Sequence, residues 1–173
     1  MSNYKERLLN ISTFIFDYDG VLTDGTIILM SNGEALRTAN VKDGYALQLA
    51  MKKGYRIAII SGAYSESVKK RFETLKVNDV FLGVEKKIQV FEEYLSKHSL
   101  NAEEVLFMGD DIPDYEVMRL AGVPTCPADA AEEIKALAVY ISHHNGGQGC
   151  VRDVIEQVMK VQGKWMNEDA YHW

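Results

Sequence analysis

Apolar residues occur along the chain in short continuous runs that alternate with longer segments of helical spacing. The runs Thr13–Phe16, Ile57–Ile60 and Val105–Met108 are typical of strands buried on both faces of a sheet. Val80–Leu82 and Val139–Ile141 are shorter strand candidates. Because strands and helices alternate, we expect an α/β fold with a doubly wound parallel sheet.

The segments between the runs carry apolar residues three and four positions apart, which predicts amphipathic helices. Ser65 is placed to cap one of these helices, and Asp129 with Glu132 resembles a capping box before another. The spacing predicts helices over Tyr45–Lys52, 65–75, Lys86–Lys97, the residues after Asp129, and Val151–Val161.

One segment, residues 26–38, departs from this alternation. Two apolar stretches flank Ser31-Asn32-Gly33-Glu34, a pattern typical of a β-hairpin with an Asn-Gly turn. The hairpin follows Asp24-Gly25, so we expect it to project above the carboxyl end of the first strand. No linker divides the chain, which predicts one domain over residues 1–173 with an unpatterned tail at 164–173.

Polar residues follow each of the three long apolar runs. They are Asp17-Tyr18-Asp19-Gly20, Ser61-Gly62 and Gly109-Asp110-Asp111. Ligands of doubly wound folds bind beyond the carboxyl ends of the strands, so these groups are expected to form one site. Paired aspartates favour Mg²⁺, which also binds phosphate oxygens. A capped strand end would show the same pair of aspartates, so the pair alone does not establish catalysis.

The composition excludes some partners. Nineteen Lys and Arg against 25 Asp and Glu give a formal charge of -6, which argues against nucleic-acid and anionic-membrane binding. A phosphorylated small molecule remains compatible, because one metal ion and one lysine reverse the local field. The chain has no secretory segment and no apolar run near the roughly 20 residues that span a bilayer. Its two cysteines form no CxxC pair, so we expect a cytoplasmic protein with reduced thiols.

These motifs together resemble the haloacid dehalogenase superfamily of phosphohydrolases. The matching residues are Asp17, Asp19, Ser61, Lys87, Asp110 and Asp114, in the expected order across nearly the whole chain. The resemblance implies that Asp17 attacks phosphorus and Asp19 acts as general acid and base. Ser61 and Lys87 would bind the phosphoryl oxygens.

The same resemblance implies the metal site and its surroundings. Mg²⁺ would be held by Asp17, the Asp19 carbonyl and Asp110, while Asp111 and Asp114 would orient the lysine or metal-bound water. The sequence offers two lysines, Lys86 and Lys87. The family's usual position, four residues after a glycine that is here Gly83, favours Lys87.

The spacing between these motifs leaves no room for the cap domain that many members carry. The open site would need cover, and a neighbouring subunit that contacts hairpin 26–38 is the simplest source. Within the capless branch, the chain resembles the phosphatases of 3-deoxy-D-manno-octulosonate 8-phosphate (KDO 8-phosphate). The matching segments are 20–25, 40–45, 146–153 and 161–164.

That branch implies hydrolysis of KDO 8-phosphate to KDO and phosphate through an aspartyl phosphate, in lipopolysaccharide sugar biosynthesis. It also implies a homotetramer in which the tail beyond Gly163 can reach a neighbour's active site; a frayed terminus would look the same in sequence. Candidate substrate contacts are Gly62, Lys42, Asp43 and Arg152. Asp43 is equally suited to cap a helix, and Arg152 to bind a carboxylate or to lie on the surface.

One departure keeps other functions open. Ala63 stands where the branch often has Arg, which removes one substrate contact. The sister branch for KDN 9-phosphate typically has Glu at this position and Lys in place of Thr74, and neither is present. A broad phosphatase for small esters is a further alternative. A non-enzymatic alternative is an oligomerisation domain, as found fused to sugar-nucleotide synthetases.

Overall fold

A computed structural model of the chain describes residues 4–166 and 168–172. The strands are β1 (Thr13–Phe16), β2 (Ile28–Leu29), β3 (Ala35–Leu36), β4 (Arg56–Ile60), β5 (Asp79–Phe81), β6 (Val105–Met108), β7 (Val123–Cys126) and β8 (Tyr140–Ile141). Six of them form a sheet in the order β5-β4-β1-β6-β7-β8, and every neighbouring pair is parallel. The predicted parallel α/β sheet is therefore confirmed.

Helices cover both faces of this sheet. They are α1 (Tyr4–Leu8), α2 (Val41–Lys52), α3 (Glu66–Leu75), α4 (Lys87–His98), α5 (Tyr115–Leu120), α6 (Glu132–Leu137) and α7 (Cys150–Val161). Short 3₁₀ helices occupy Ala102–Glu104, Ile112–Asp114 and Glu168–Tyr171. Apolar residues of α1, α2, α3 and α7 pack on one face, and those of α4, α5 and α6 on the other.

The central strand β1 shows why its sequence is apolar throughout. Successive side chains of a strand point to opposite faces. Phe14 and Phe16 accordingly belong to the core cluster on the α2 side, whereas Ile15 belongs to the cluster on the α4 side. Both faces are buried, so every position of the strand requires a side chain that tolerates exclusion of water.

Two features of the fold were not predicted. Strand β7, Val-Pro-Thr-Cys, lies inside the sheet although Pro124 lacks the N–H that a ladder normally uses. The proline interrupts the apolar run that would have indicated a strand. The short helices α1 and α5, of five and six residues, carry too few turns for a periodic pattern.

The predicted capping contacts differ from those observed. The Asp129–Glu132 capping box is wrong: α6 begins at Glu132 with Ala131 as N-cap and no side-chain cap hydrogen bond. Asp129 instead accepts a hydrogen bond from the Gly146 amide over 2.9 Å. Ser65 is the N-cap residue of α3, but its hydroxyl lies 2.9 Å from that of Ser67 and makes no cap hydrogen bond.

The predicted hairpin is present. Strands β2 and β3 are antiparallel, with Ile28 opposite Leu36. Gly33 has φ of +84°, the left-handed conformation that a tight turn of this kind requires. Apolar side chains on its first strand are strongly exposed, with Leu29 at 81% and Ile28 at 52%.

The described part of the tail folds back on its own chain. The Tyr45 hydroxyl donates to the Ala170 carbonyl, and Lys52 Nζ donates to the His172 carbonyl over 2.7 Å. The tail therefore packs against α2. Residues 167 and 173 of the predicted tail lie outside the described residues. In the described ranges, no helix combines the length and apolar character needed to cross a bilayer.

Candidate active site

The backbone brings the predicted polar groups to one edge of the sheet. The parallel ladder continues one residue past each strand, because the Asp17 amide donates to the Met108 carbonyl over 3.0 Å and the Ser61 amide to the Phe81 carbonyl over 2.9 Å. The side chains that follow β1, β4 and β6 are therefore fixed by the same hydrogen-bond network. They face an open cleft of about 330 Å³. The cleft is lined by Asp17, Asp19, Gly20, Gly25, Ser61, Gly62, Ala63, Lys87, Asp110, Asp111, Pro113 and Asp114.

Lys87, rather than Lys86, enters this cleft. Its Nζ atom lies 2.8 Å from Oδ1 of Asp17 and 2.7 Å from Oδ1 of Asp114, and its side chain is only 5% exposed. Burial alone would lower the pKa of Lys87, but the two carboxylates outweigh burial and raise it. The lysine is thus a buried cation, whereas Lys86 is exposed at the N-cap of α4.

The two carboxylates that contact this ammonium group lie next to a third, that of Asp110. Oxygen atoms of Asp17, Asp110 and Asp114 lie within 4.8 Å of one another. Burial, followed by the charges of Asp17 and Asp114, raises the pKa of Asp110 to about 8. Burial likewise raises the pKa of Asp17. Such mutual repulsion among oxygen ligands is what a bound divalent cation relieves, so these residues fit a hard metal ion such as Mg²⁺.

Asp114 and Asp111 have different surroundings. One oxygen of Asp114 accepts from Lys87 and the other from the Asp110 amide over 3.1 Å. Asp114 therefore ties the lysine to the loop that carries Asp110. Asp111 accepts from the Ile112 amide over 2.8 Å at the start of the 3₁₀ helix and is exposed. In this arrangement Asp111 lines the cleft without contacting Lys87.

Ser61 closes the opposite side of the cleft. Its side chain is buried, and Oγ accepts from the Ala63 amide over 3.3 Å. Gly62 and Ala63 line the cleft beside it. Thr74, which matches the octulosonate branch, is exposed on α3 and does not line this cleft.

Asp19 is held by a residue that the sequence did not single out. Arg37, just after β3, donates Nε to Asp19 Oδ1 over 2.6 Å and Nη2 to Oδ2 over 3.0 Å. The arginine comes from the hairpin, not from the sheet that carries the other site residues. Its only sequence signal is a basic residue in an insert expected above the first strand.

The loop after β1 needs a glycine at position 20. Gly20 has φ of +84°, and a methyl group there would overlap the carboxylate of Asp110. The Thr23 hydroxyl accepts from the amides of Gly20 and Gly25, both over 3.2 Å. These contacts fix the path of the chain between the two aspartates and the hairpin.

The glycine-rich segment 146–149 packs against the loop that follows β1. The Gly147 amide donates to the Val21 carbonyl over 2.9 Å. A side-chain carbon at Gly146 would overlap the carbonyl oxygen of Gly20. The absence of a side chain therefore lets two backbone segments touch directly.

The remaining candidates for substrate contact lie outside the cleft of this chain. Asp43 is buried and accepts from the Arg152 amide over 2.7 Å, so it holds the start of α7 against α2. It does not cap its own helix, because Asn40 caps α2. The Arg152 guanidinium lies over the rings of Tyr45 and Trp165, and Lys42 is exposed.

Comparisons with known proteins agree with this geometry. The family model for haloacid dehalogenase-like hydrolases matches residues 39–128. The chain is 37% identical over 155 residues to 3-deoxy-D-manno-octulosonate 8-phosphate phosphatase KdsC of Salmonella typhi, which covers 90% of this chain and 82% of the relative.

Solved structures give the same result. The crystal structure of the corresponding phosphatase from Yersinia pestis has a TM-score of 0.92 at 32% identity, covering 94% of this chain and 88% of that one. The Moraxella catarrhalis phosphatase, solved with magnesium, phosphate and KDO, has a TM-score of 0.92 at 31% identity and covers 95% of each chain. The chain therefore belongs to the haloacid dehalogenase-like hydrolase family, among the relatives of the KDO 8-phosphate phosphatases.

Proposed function

We propose that this chain is a Mg²⁺-dependent phosphatase that hydrolyses KDO 8-phosphate to KDO and phosphate. The observation that carries the proposal is the position of the Asp17 carboxylate at the floor of an open cleft, 2.8 Å from the buried Lys87 ammonium and within the carboxylate cluster. The candidate nucleophile, a cation suited to phosphoryl oxygens and a candidate metal site therefore lie together in one cleft. The relative solved with magnesium, phosphate and KDO supports this choice of substrate.

In the first step Asp17 attacks the phosphorus atom and the bond from phosphorus to the sugar oxygen breaks. Asp19 gives its proton to that oxygen, so the sugar leaves as a neutral alcohol and Asp17 carries the phosphoryl group. Lys87 and the Ser61 hydroxyl stabilise charge on the transferring group, where such stabilisation contributes most.

In the second step Asp19 accepts a proton from water as the water attacks phosphorus. The bond between phosphorus and Asp17 breaks, which restores the nucleophile and releases phosphate. Bound Mg²⁺ supplies positive charge that brings the anionic phosphate and the anionic nucleophile together. Asp17, the Asp19 carbonyl and Asp110 would hold the ion, and Asp114 keeps Lys87 in the cleft through a hydrogen bond of 2.7 Å.

Ala63 supports one alternative. The family's usual arginine is missing from the cleft wall, and the wall beside Ser61 is formed by Gly62 and Ala63. A phosphatase with this wall contacts the sugar less and discriminates less among small phosphate esters, including KDN 9-phosphate. The oligomerisation-domain alternative predicts no turnover of any phosphate ester.

The proposed assembly is a homotetramer formed through the hairpin, in a single-domain cytoplasmic protein of lipopolysaccharide sugar biosynthesis. Four apolar residues of the hairpin are exposed in the isolated chain, and such a patch favours contact with a second copy. They are Ile27, Ile28, Leu29 and Met30. The two cysteines are free and buried, which suits a reducing compartment. Under this proposal the neighbouring copy also supplies the missing cation near Ala63, and Arg152 is a candidate for it.

The test is phosphate release by the purified full-length protein with Mg²⁺. KDO 8-phosphate, KDN 9-phosphate and a panel of unrelated phosphate esters are compared by kcat/KM. A clear preference for KDO 8-phosphate is expected. Comparable values across unrelated esters would support the broad phosphatase instead.

The mechanism has its own controls. Asp17→Ala and Asp17→Asn remove the nucleophile, and chelation removes the metal; each is expected to abolish turnover. Thermal unfolding of both variants checks that the fold survives. Phosphate release that persists in a folded Asp17→Ala variant would overturn the assignment of Asp17.

A further inference from the structure

The guanidinium of Arg37 makes a bidentate contact with the carboxylate of Asp19. Nε and Nη2 each donate to a different oxygen of Asp19, over 2.6 and 3.0 Å, and the third nitrogen, Nη1, donates to the Ala35 carbonyl over 2.9 Å. Three contacts leave the guanidinium plane no freedom to rotate. The plane of the carboxylate is therefore set by the backbone of the hairpin.

This pair differs from an ordinary surface ion pair. The Arg37 side chain is 5% exposed and that of Asp19 is 30% exposed, so solvent screens the contact weakly. Bidentate geometry adds directional precision that a lysine would lack. Within residues 4–166 and 168–172, the side-chain hydrogen bonds of Asp19 all come from Arg37.

The bidentate contact leaves Asp19 able to react. Each carboxylate oxygen has two lone pairs, and Arg37 uses one on each. The Asp19 side chain also lines the cleft that contains Asp17 and Lys87, whereas Arg37 does not. Arg37 thus approaches Asp19 from outside the cleft and leaves the inner side of the carboxylate free for a ligand.

We propose that Arg37 is the positioning residue for the acid–base carboxylate of Asp19, which makes the hairpin part of the catalytic apparatus. The inference rests on the proposed function, in which Asp19 protonates the leaving sugar oxygen. Arg37 itself transfers no proton and touches no reacting atom. It fixes the direction from which Asp19 delivers the proton, and a misplacement of about 1 Å costs roughly 100-fold in rate.

Substrates with different leaving groups distinguish a role of Arg37 in positioning Asp19 from a role in binding the substrate. An alkyl phosphate needs a proton on its leaving oxygen, whereas p-nitrophenolate leaves readily without one. The ratio kcat/KM reports the steps up to the first phosphoryl transfer, so it is independent of the later hydrolysis of the aspartyl phosphate. Loss of Arg37 should therefore lower kcat/KM for alkyl phosphates far more than for p-nitrophenyl phosphate.

The experiment compares wild type, Arg37→Gln and Arg37→Lys on three substrates with Mg²⁺. KDO 8-phosphate is an alkyl ester with a carboxylate, glycerol 3-phosphate is an alkyl ester without one, and p-nitrophenyl phosphate is an aryl ester. For Arg37→Gln we expect kcat/KM to fall about 30- to 100-fold on both alkyl esters and less than about threefold on the aryl ester. Arg37→Lys, which keeps the charge but loses the bidentate contact, should retain part of the alkyl activity.

Two further measurements complete the test. Arg37→Gln should show a burst of p-nitrophenol followed by slow turnover, because Asp19 is also the base of the second step. In an Asp19→Asn background, Arg37→Gln should cost nothing further on the alkyl esters. Arg119→Gln, an exposed arginine on α5, is the charge control and should behave as wild type.

The outcomes separate this inference from the proposed function. Equal losses on all three substrates, or a loss confined to the carboxylate-bearing ester, would show that Arg37 binds phosphate or substrate carboxylate and would overturn the inference. Unchanged alkyl activity would also overturn it. A wild-type enzyme inactive on KDO 8-phosphate contradicts the proposed substrate alone, and the comparison then uses glycerol 3-phosphate or the alkyl ester that it hydrolyses fastest.

Discussion

Lys87, the first residue of α4, donates a hydrogen bond over 2.7 Å to Asp114, the last residue of the 3₁₀ helix Ile112–Asp114, although the two are 27 positions apart. The same ammonium lies 2.8 Å from Asp17. Asp114 also accepts from the Asp110 amide, so one carboxylate links the lysine to the loop that carries Asp110, the proposed metal ligand. The lysine offsets part of the negative charge of three clustered carboxylates, so it has a structural role in addition to the catalytic role proposed for it.

Replacing Lys87 with Met should therefore lower the activity. The substitution removes a cation from the transferring phosphoryl group, and we expect kcat/KM to fall by at least about 100-fold. The matched control is Lys86→Met, one residue earlier and exposed, which should retain normal kinetics. Steady-state phosphate release measures both variants. Equal losses in the two would contradict the choice of Lys87.

Binding of Mg²⁺ should depend on pH through Asp110. Burial and the charges of Asp17 and Asp114 raise the pKa of Asp110 to about 8 in the metal-free site. Below that pH the metal-free carboxyl holds a proton that the cation must displace, so Mg²⁺ affinity should fall as pH falls, by up to about tenfold per unit.

Isothermal titration calorimetry at pH 6.5, 7.5 and 8.5, in buffers of different ionisation enthalpy, measures both affinity and proton release. We expect close to one proton released per Mg²⁺ at the lowest pH and less at the highest. Asp110→Asn serves as the control and should bind Mg²⁺ weakly at every pH. Affinity that is constant over this range in wild type would contradict the role of Asp110.

The central part of the site was predictable because its signals are local. A buried run such as Val105–Met108 must end where polar residues begin, and parallel strands end at a common edge of the sheet. The positions of Asp17, Ser61 and Asp110 at one edge follow from that rule. The alternation of apolar runs with helical spacing predicted the sheet for the same reason.

Other contacts could not be predicted, because they join distant parts of the chain through geometry that no local pattern encodes. Arg37 reaches Asp19 across 18 positions because the hairpin returns the chain to the loop after β1. Asp43 accepts from the Arg152 amide 109 positions away, which depends on the packing of α2 against α7. The sequence suggested a substrate contact or a helix cap for Asp43 and singled out no role for Arg37.

Asp43 should make the stability of the protein depend on pH. Burial raises its pKa from an ordinary 3.8 to about 6, although the backbone amides of Arg152 and Gly149 oppose the shift. A raised pKa in the folded state favours the protonated form, so its contribution to stability is largest at low pH and is lost as pH rises through about 6. Asp43→Asn removes this titration and keeps an oxygen for the Arg152 amide.

The measurable quantity is the difference in unfolding free energy between wild type and Asp43→Asn. Effects of other titrating groups cancel in that difference. From pH 4.5 to pH 7, wild type should lose about 2 kcal/mol of stability relative to Asp43→Asn. Urea unfolding at a series of pH values tests it. A difference in unfolding free energy that is constant with pH would contradict the raised pKa of Asp43. A rise in KM for the substrate in the Asp43→Asn variant would support the prediction that Asp43 contacts the substrate.

The final prediction concerns Gly146, which lies outside the cleft. A methyl group there would overlap the Gly20 carbonyl, which is backbone, so the loop after β1 that carries Asp17, Asp19 and Gly20 must move to accommodate it. We expect Gly146→Ala to lower kcat by about 100-fold with a folded protein, because that loop carries both carboxylates. Gly54→Ala is the control: it has φ of +86° and open space around it, so it should cost about 1 kcal/mol of stability and leave kcat unchanged. Stopped assays of phosphate release, paired with thermal unfolding, separate the two effects. If Gly146→Ala kept wild-type kcat, segment 146–149 would not position the catalytic loop.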